Sequence, residues 1–302
     1  MPPLHLAQVN IGTLRQPIDH PDTVDFADAL DPVNAEGEAS PGYVWRLQDD
    51  SGNATSIQIF DNPLQLLNVT VWESVEALRA FAYRGSHRDF FRRRAEWFEP
   101  DGSATALWWI PAGTLPTEYE AARRVDFIRR FGDSPFAFRI GSRQPQLVIA
   151  RTDLDSPEAQ EMIAALDAEL TALYPEPGAT HFSLGAAEVA TGRGGFYVAY
   201  LDGAPAGCGA YRTPKPGTAE IKRMYVDPSA RGLKLGAAIL DTLEEAARGD
   251  GAAEIILETG HRQTEALGLY HRFGFNQIPV YGEYVDSAST SVCFGKRLSA
   301  VG

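Results

Sequence analysis

The residues best placed to do chemistry fall in one run, Glu220 to Leu240. A strand-like stretch, Glu220–Val226, passes through the basic, glycine-punctuated turn Arg231-Gly-Leu-Lys-Leu-Gly236 into a helical stretch. Amides in such a turn and in the first turn of the helix have no internal acceptor, and the positive end of the helix dipole lies among them. Gly232 and Gly236 remove two Cβ atoms from the approach, while Arg231 and Lys234 add charge, so a pyrophosphate fits there. Upstream, the Glu220 carboxylate can accept a proton; downstream, the Tyr270 phenol can give one. Each has a plainer role open to it. Glu220 can pair with Lys222 or Arg223 on a solvated strand face, and Tyr270 can anchor its helix as an amphipathic side chain.

The order Val226-x-Pro228-x-x-Arg231-Gly232, then Gly236-Ala237, resembles the acyl-CoA loop of the GCN5-related N-acetyltransferases, the GNAT superfamily. Their usual pattern is Gln/Arg-x-x-Gly-x-Gly/Ala; counted from Arg231, this chain has Lys234 in place of the middle glycine and Gly236 in the last position. A second phrase, Ala266-x-x-Leu269-Tyr270-x-x-x-Gly274-Phe275, matches the helix with a Gly-Phe ending that is also typical of the family.

The resemblance implies a cytoplasmic N-acetyltransferase that moves an acetyl group from acetyl-CoA to a primary amine by direct attack, with no metal. It implies that Met224, Tyr225 and Val226 flank the pantetheine arm at a bulged strand whose N–H polarises the thioester carbonyl. The run Arg231, Gly232, Leu233, Lys234, Leu235, Gly236 and Ala237 surrounds the pyrophosphate. Gln263, where relatives often carry Asn, touches the cofactor. Tyr270 protonates the departing thiolate, and Glu220, acting through water, deprotonates the acceptor, a small-molecule or peptide amine. The tail phrase Pro279-Val-Tyr281-Gly-Glu283-Tyr284 resembles one bacterial acetyltransferase subgroup; either Tyr281, Glu283 and Tyr284 line the acceptor side or the two tyrosines simply pack a loop.

Several elements must position these groups. Ser156-Pro157-Glu158 starts a helix, with Asp155 or Ser156 as its cap, and Met162, Ile163, Leu166 and Leu170 on one face. Strands are expected at 146–151, 195–201, 205–213, 218–226 and 254–258, with a hairpin turn at Asp202-Gly203 and helices at 235–248 and 263–272. Antiparallel strands joined to a later β-turn-helix-β unit make a mixed α/β sheet, the acyl-CoA N-acyltransferase fold by resemblance.

The first half reads strand (5–11), helix (24–38), strands (43–47, 64–71), two helical stretches after Ser74, and a closing strand at Leu107–Ile110. That is the ferredoxin-like order, which leaves one sheet face in need of cover. Phrases such as Pro41-Gly-Tyr-Val-Trp-Arg-Leu-Gln48 and Ser86 to Phe98 resemble a bacterial domain of undefined function, DUF3291-like, related to the dimeric α/β-barrel monooxygenases. The relation implies a homodimer that covers the bare face. It also raises a second functional reading, an oxygenase-like or ligand-binding barrel using His87, Trp45 or Trp109, with the C-terminal half as partner or sensor. A solvated cationic helix face over Phe90 and Phe91 is the plainer reading of Arg88 and Arg92–Arg94. The expected division is therefore two domains, 1–141 and 147–302, joined by the linker 142–146.

The totals narrow the classes. A net charge of −13 over 302 residues, −6 for residues 1–143 and −7 for 144–302, excludes a nucleic-acid arm in either half and favours a cationic acceptor. Two cysteines, Cys208 and Cys293, make no disulfide framework, and no apolar run approaches a membrane span, so no membrane partner is expected. The sequons at Asn53 and Asn68 are read as chance matches in a cytoplasmic chain. His261 and His271 lack the spacing of metal ligands and are read as surface or packing residues.

Overall fold

The structure, a computed structural model, describes residues 2–83, 85–100, 102, 104–176 and 184–298; the side chains of residues 85–87 and 89, His87 among them, lie outside the described set. The chain divides into two compact units, Met1–Pro145 and Gln146–Gly302.

The first unit contains β1 (Leu4–Thr13), α1 (Val24–Glu38), β2 (Tyr43–Arg46), β3 (Gln65–Trp72), α2 (Val75–Ala82), α3 (Gly85–Trp97), β4 (Ala104–Pro111) and α4 (Glu118–Phe131). Its sheet runs β2-β3-β1-β4, all antiparallel, which is the ferredoxin-like arrangement. Ser74 starts α2 by accepting a bond from the Ala77 amide. Period-two alternation sends Ala7, Val9, Val69, Val71 and Trp108 to one face, and Leu6, Trp72 and Leu107 to the other.

In this unit, helix α4 is an element that sequence reading missed, and it changes an expectation. Thr117 caps it through the Glu120 amide, Glu118 and Glu120 occupy its first turn, and Ala121, Val125 and Ile128 recur at helical spacing. Those side chains bury the sheet face that a second copy was expected to cover. Each fully buried valine there contributes about 1.5–3 kcal/mol, so the chain itself removes the stated cause for dimerisation.

The second unit contains β5 (Leu147–Arg151), α5 (Pro157–Leu173), β6 (Gly194–Leu201), β7 (Ala204–Lys215), β8 (Thr218–Val226), α6 (Leu235–Gly249), β9 (Glu254–Gly260), α7 (Thr264–Arg272), β10 (Asn276–Ile278) and β11 (Ser291–Arg297). The sheet order is β10-β11-β9-β8-β7-β6-β5, and only β8 and β9 run parallel. Asp202 and Gly203, at φ 48° and 88°, make the hairpin between β6 and β7.

Helices α5 and α6 pack on opposite faces of this sheet. Ala159, Met162 and Leu166 of α5 bury against Phe196, Val198, Cys208 and Ala210. The alternate residues of β7 face α6, where a Cβ added at Gly209 would lie 2.7 Å from Ile239 and 2.8 Å from Leu243. The missing side chain lets the helix sit close to the strand that positions the site.

Candidate functional site

Strands β8 and β9 pair only from Thr218↔Glu254 to Ile221↔Leu257. Beyond that rung β8 continues to Val226 on β7, while β9 continues to Gly260 on β11, so the parallel pair splays open. At the opening the β7–β8 register shifts between Cys208 and Ala210, and Arg223 takes φ 59°, the signature of a bulge. Arg223 is held there by Asp167 of α5, and its carbonyl accepts the Cys208 thiol at 3.3 Å. Met224, Tyr225 and Val226 follow, with Tyr225 buried towards α5.

Past Val226 the chain makes a short 3-10 turn at Pro228–Ala230, held by Asp227 accepting from the Ser229 amide, and enters α6 through Gly232 at φ 85° and Lys234 at φ 65°. Lys234 therefore keeps the left-handed backbone that a glycine provides freely, at a steric cost of about 1–2 kcal/mol. It serves as N-cap without a side-chain capping bond, and the first turn of α6 holds no acidic residue. Among the described residues, the amides of Gly232, Leu233, Leu235, Gly236 and Ala237 reach no acceptor. A Cβ added at Gly236 would meet only Leu269 at 3.5 Å and Val226 at 3.7 Å, ordinary contacts, so the fold by itself does not require glycine there. Such a row of open N–H groups fits an oxyanion.

Three of the expected site residues have partners within the fold. The Arg231 guanidinium reaches the Val226 carbonyl and Glu169 of α5, which offsets its charge. The Gln263 side-chain oxygen accepts from Thr259 and from the Gly260 amide, both at 2.9 Å, and so braces the turn from β9 into α7. Glu220 pairs with neither Lys222 nor Arg223 and lies on no solvated face. It is 1% exposed and accepts from Arg212 Nε at 2.6 Å, Tyr284 at 2.8 Å and Tyr281 at 3.1 Å.

Arg212 stands directly across from Glu220 on β7 and also reaches Glu188 and Glu283, while Lys222 bonds Glu283 at 2.6 Å. Arg212 and Glu188 carried no local sequence signal, because their relation to Glu220 exists only through strand register and loop return. Burial, and then the Glu220 charge, push the Tyr281 and Tyr284 phenols well above their ordinary value, so both remain donors. Tyr281 and Tyr284 therefore bind the carboxylate rather than merely packing a loop.

Tyr270 sits on α7, fully buried beside Phe275 and Phe294 at ring distances of 5.9 and 6.0 Å. Its hydroxyl makes no hydrogen bond among the described residues, and burial, reinforced by Glu258, pushes its pKa upward. His261 bonds the Thr290 carbonyl and packs against Tyr174, and His271 packs edge-on to Phe294, as packing residues would.

The sequence pattern described as "Acetyltransferase (GNAT) family" matches residues 159–275, and that of a "Domain of unknown function (DUF3291)" matches 5–153. A protein of Azospirillum brasilense named IAA acetyltransferase is 34% identical over 141 residues, covering 46% of this chain and 91% of that one. The chain belongs to the GNAT acetyltransferase family. Solved GNAT structures resemble its C-terminal half. They include an IAA acetyltransferase from Bacillus cereus (21% identity, 51% of this chain and 100% of that one, TM-score 0.39). Another is a GNAT acetyltransferase from Elizabethkingia anophelis with acetyl-CoA bound (17% identity, 50% and 98%, TM-score 0.38).

This GNAT protein is accordingly an acyltransferase enzyme with a mixed α/β fold, preceded by an α/β unit of the DUF3291 type. The residues considered for a barrel site in that first unit lie in different places. Trp45 packs with the α4-covered face, Trp109 packs with the opposite one, and the side chain of His87 is outside the described residues. Among the described residues no cluster of three metal-ligating side chains occurs and no helix is long and apolar enough to cross a membrane.

Proposed function

We propose that the GNAT unit transfers an acetyl group from acetyl-CoA to a primary amine by direct attack of the amine on the thioester. The observation that carries this reading is the set of open amides at Gly232, Leu233, Leu235, Gly236 and Ala237, lying directly after the splay of β8 from β9. The row suits a pyrophosphate, and the bulged Met224–Val226 segment suits an extended polar arm that adds main-chain bonds beside a strand.

Direct attack is favoured by the state of the cysteines. Both are buried, and burial pushes the Cys208 thiol up to about 12 and raises Cys293 as well, so neither supplies a thiolate for an acyl-enzyme. Tyr270, kept protonated by burial, is the donor to the leaving thiolate. Glu220, with three donors already on it, acts by fixing Tyr281 and Tyr284 and by adding negative charge beneath the acceptor side; a proton leaving the amine reaches it only through those hydroxyls or water. A primary amine, cationic before attack, is the acceptor class this charge favours.

Calorimetry and a coenzyme A release assay test the proposal. Acetyl-CoA at a hundredfold excess over its Kd should stabilise the protein by about 2.7 kcal/mol, and an amine panel should release free thiol. Absence of binding, or thiol release independent of any amine, would remove the donor claim or the direct-attack claim respectively.

A further inference from the structure

The first unit holds a cavity of about 520 Å³ between its sheet and helices α1, α2 and α3, within the size range of small-molecule sites. Helix α1 contributes Phe26, Leu30 and Val33, all only half-buried although apolar, together with the small residues Ala29 and Gly37. The roof therefore stands off the sheet instead of packing down on it. Phe81, stacked on Trp72 at 5.2 Å, walls one side.

The floor is polar and directional. Trp72 Nε1 can only donate, and it donates to Thr70 Oγ1 at 2.9 Å. The Thr70 hydroxyl then donates to the Gln8 side-chain oxygen at 2.7 Å. That chain of bonds fixes the Gln8 amide and turns its nitrogen to the cavity, where it meets no acceptor among the described residues although Gln8 is only 6% exposed. Solvent reaches this nitrogen through the cavity, so the donor is available to any ligand oxygen that enters. The described lining includes two arginines and no Asp or Glu, in a chain of net charge −13. Arg46 is held by Glu38 and the Gly52 carbonyl, whereas exposed Arg94 reaches, among the described residues, only the Phe91 carbonyl and ring.

From this geometry we infer that the cavity is a binding site for a flat, largely apolar molecule bearing a carboxylate, with an oxygen of the ligand accepting from Gln8. The site is distinct from the acyl-transfer site and needs none of its residues.

Isothermal titration of the full chain with naphthalene-2-carboxylate tests it. The expected result is one molecule bound per chain, with Kd raised at least tenfold by Gln8→Leu, which removes the donor, and by Leu30→Trp, which fills the space. Naphthalen-2-ylmethylamine, with the same rings and a cationic head, should bind at least tenfold more weakly than the carboxylate. Circular dichroism checks each variant, and Leu30→Trp, which leaves the sheet untouched, decides if Gln8→Leu does not fold. No binding of the carboxylate, wild-type affinity in the folded variants, equal binding of the amine, or displacement by coenzyme A would each overturn the assignment.

Discussion

Helices α5 and α6 begin with the same shortage of hydrogen-bond acceptors and resolve it differently. At α5, Ser156 accepts from the Ala159 amide, Pro157 has no N–H to satisfy, and Glu158 adds negative charge to the first turn. At α6 the cap is Lys234, with no capping bond and no acidic residue in the first turn, so the positive end of the helix stays open. Side chains repeat the contrast. Glu220 holds three donors, while the hydroxyl of the otherwise buried Tyr270 bonds to nothing among the described residues. At the start of α5 the chain satisfies its own polar groups, and at the start of α6, where we propose that acetyl-CoA arrives, it leaves amides open.

Tests that separate stability from turnover can break or sharpen this contrast. Glu220→Ala should have the largest effect, a loss of about 3 kcal/mol in urea unfolding, because Arg212 and two phenols lose a buried acceptor. A loss well under 1 kcal/mol would mean that the network is not holding the fold. Tyr270→Phe should lower kcat about 100-fold and leave urea stability and acetyl-CoA affinity near wild type, since the hydroxyl has no structural bond to lose.

Its pH profile carries a sign. Burial raises the phenol pKa, so the acid form persists through neutral pH and the wild-type kcat profile should show no descending limb from Tyr270 below about pH 10.

Gly236→Asp, which places a carboxylate among the open amides, should raise the Kd for acetyl-CoA at least tenfold while stabilising the helix by about 0.5 kcal/mol. Unchanged affinity would place the anion elsewhere. Ser156→Ala, the matching change at α5, should cost about 1 kcal/mol in stability and leave acetyl-CoA affinity unaltered by calorimetry.

Much of the second unit was legible because its signals are local. The Ser156 cap, the Asp202-Gly203 turn and the apolar stripe of α6 each lie within a few residues of the structure they produce. Lys234 looked like a departure from the glycine spacing; its φ of 65° shows that the backbone keeps the glycine conformation while the side chain changes. In the first unit the signals for α4 were equally local, in Thr117, Glu118, Glu120 and the Ala121, Val125 and Ile128 stripe, but lay beyond the strand taken to close the unit.

By itself the sequence determined the element types, the capped and uncapped helix starts, and the family-like turn from Arg231 to Ala237, since these follow from propensity and spacing along neighbouring residues. Only the tertiary structure decided the partners. Register brought Arg212 opposite Glu220, the returning chain brought Tyr281 and Tyr284 onto the same carboxylate, α5 brought Glu169 to Arg231, and α4 covered the bare sheet face. The physical reason is that a buried charge or an apolar face must be matched by whatever group packs against it, and packing joins residues whose separation along the chain carries no pattern.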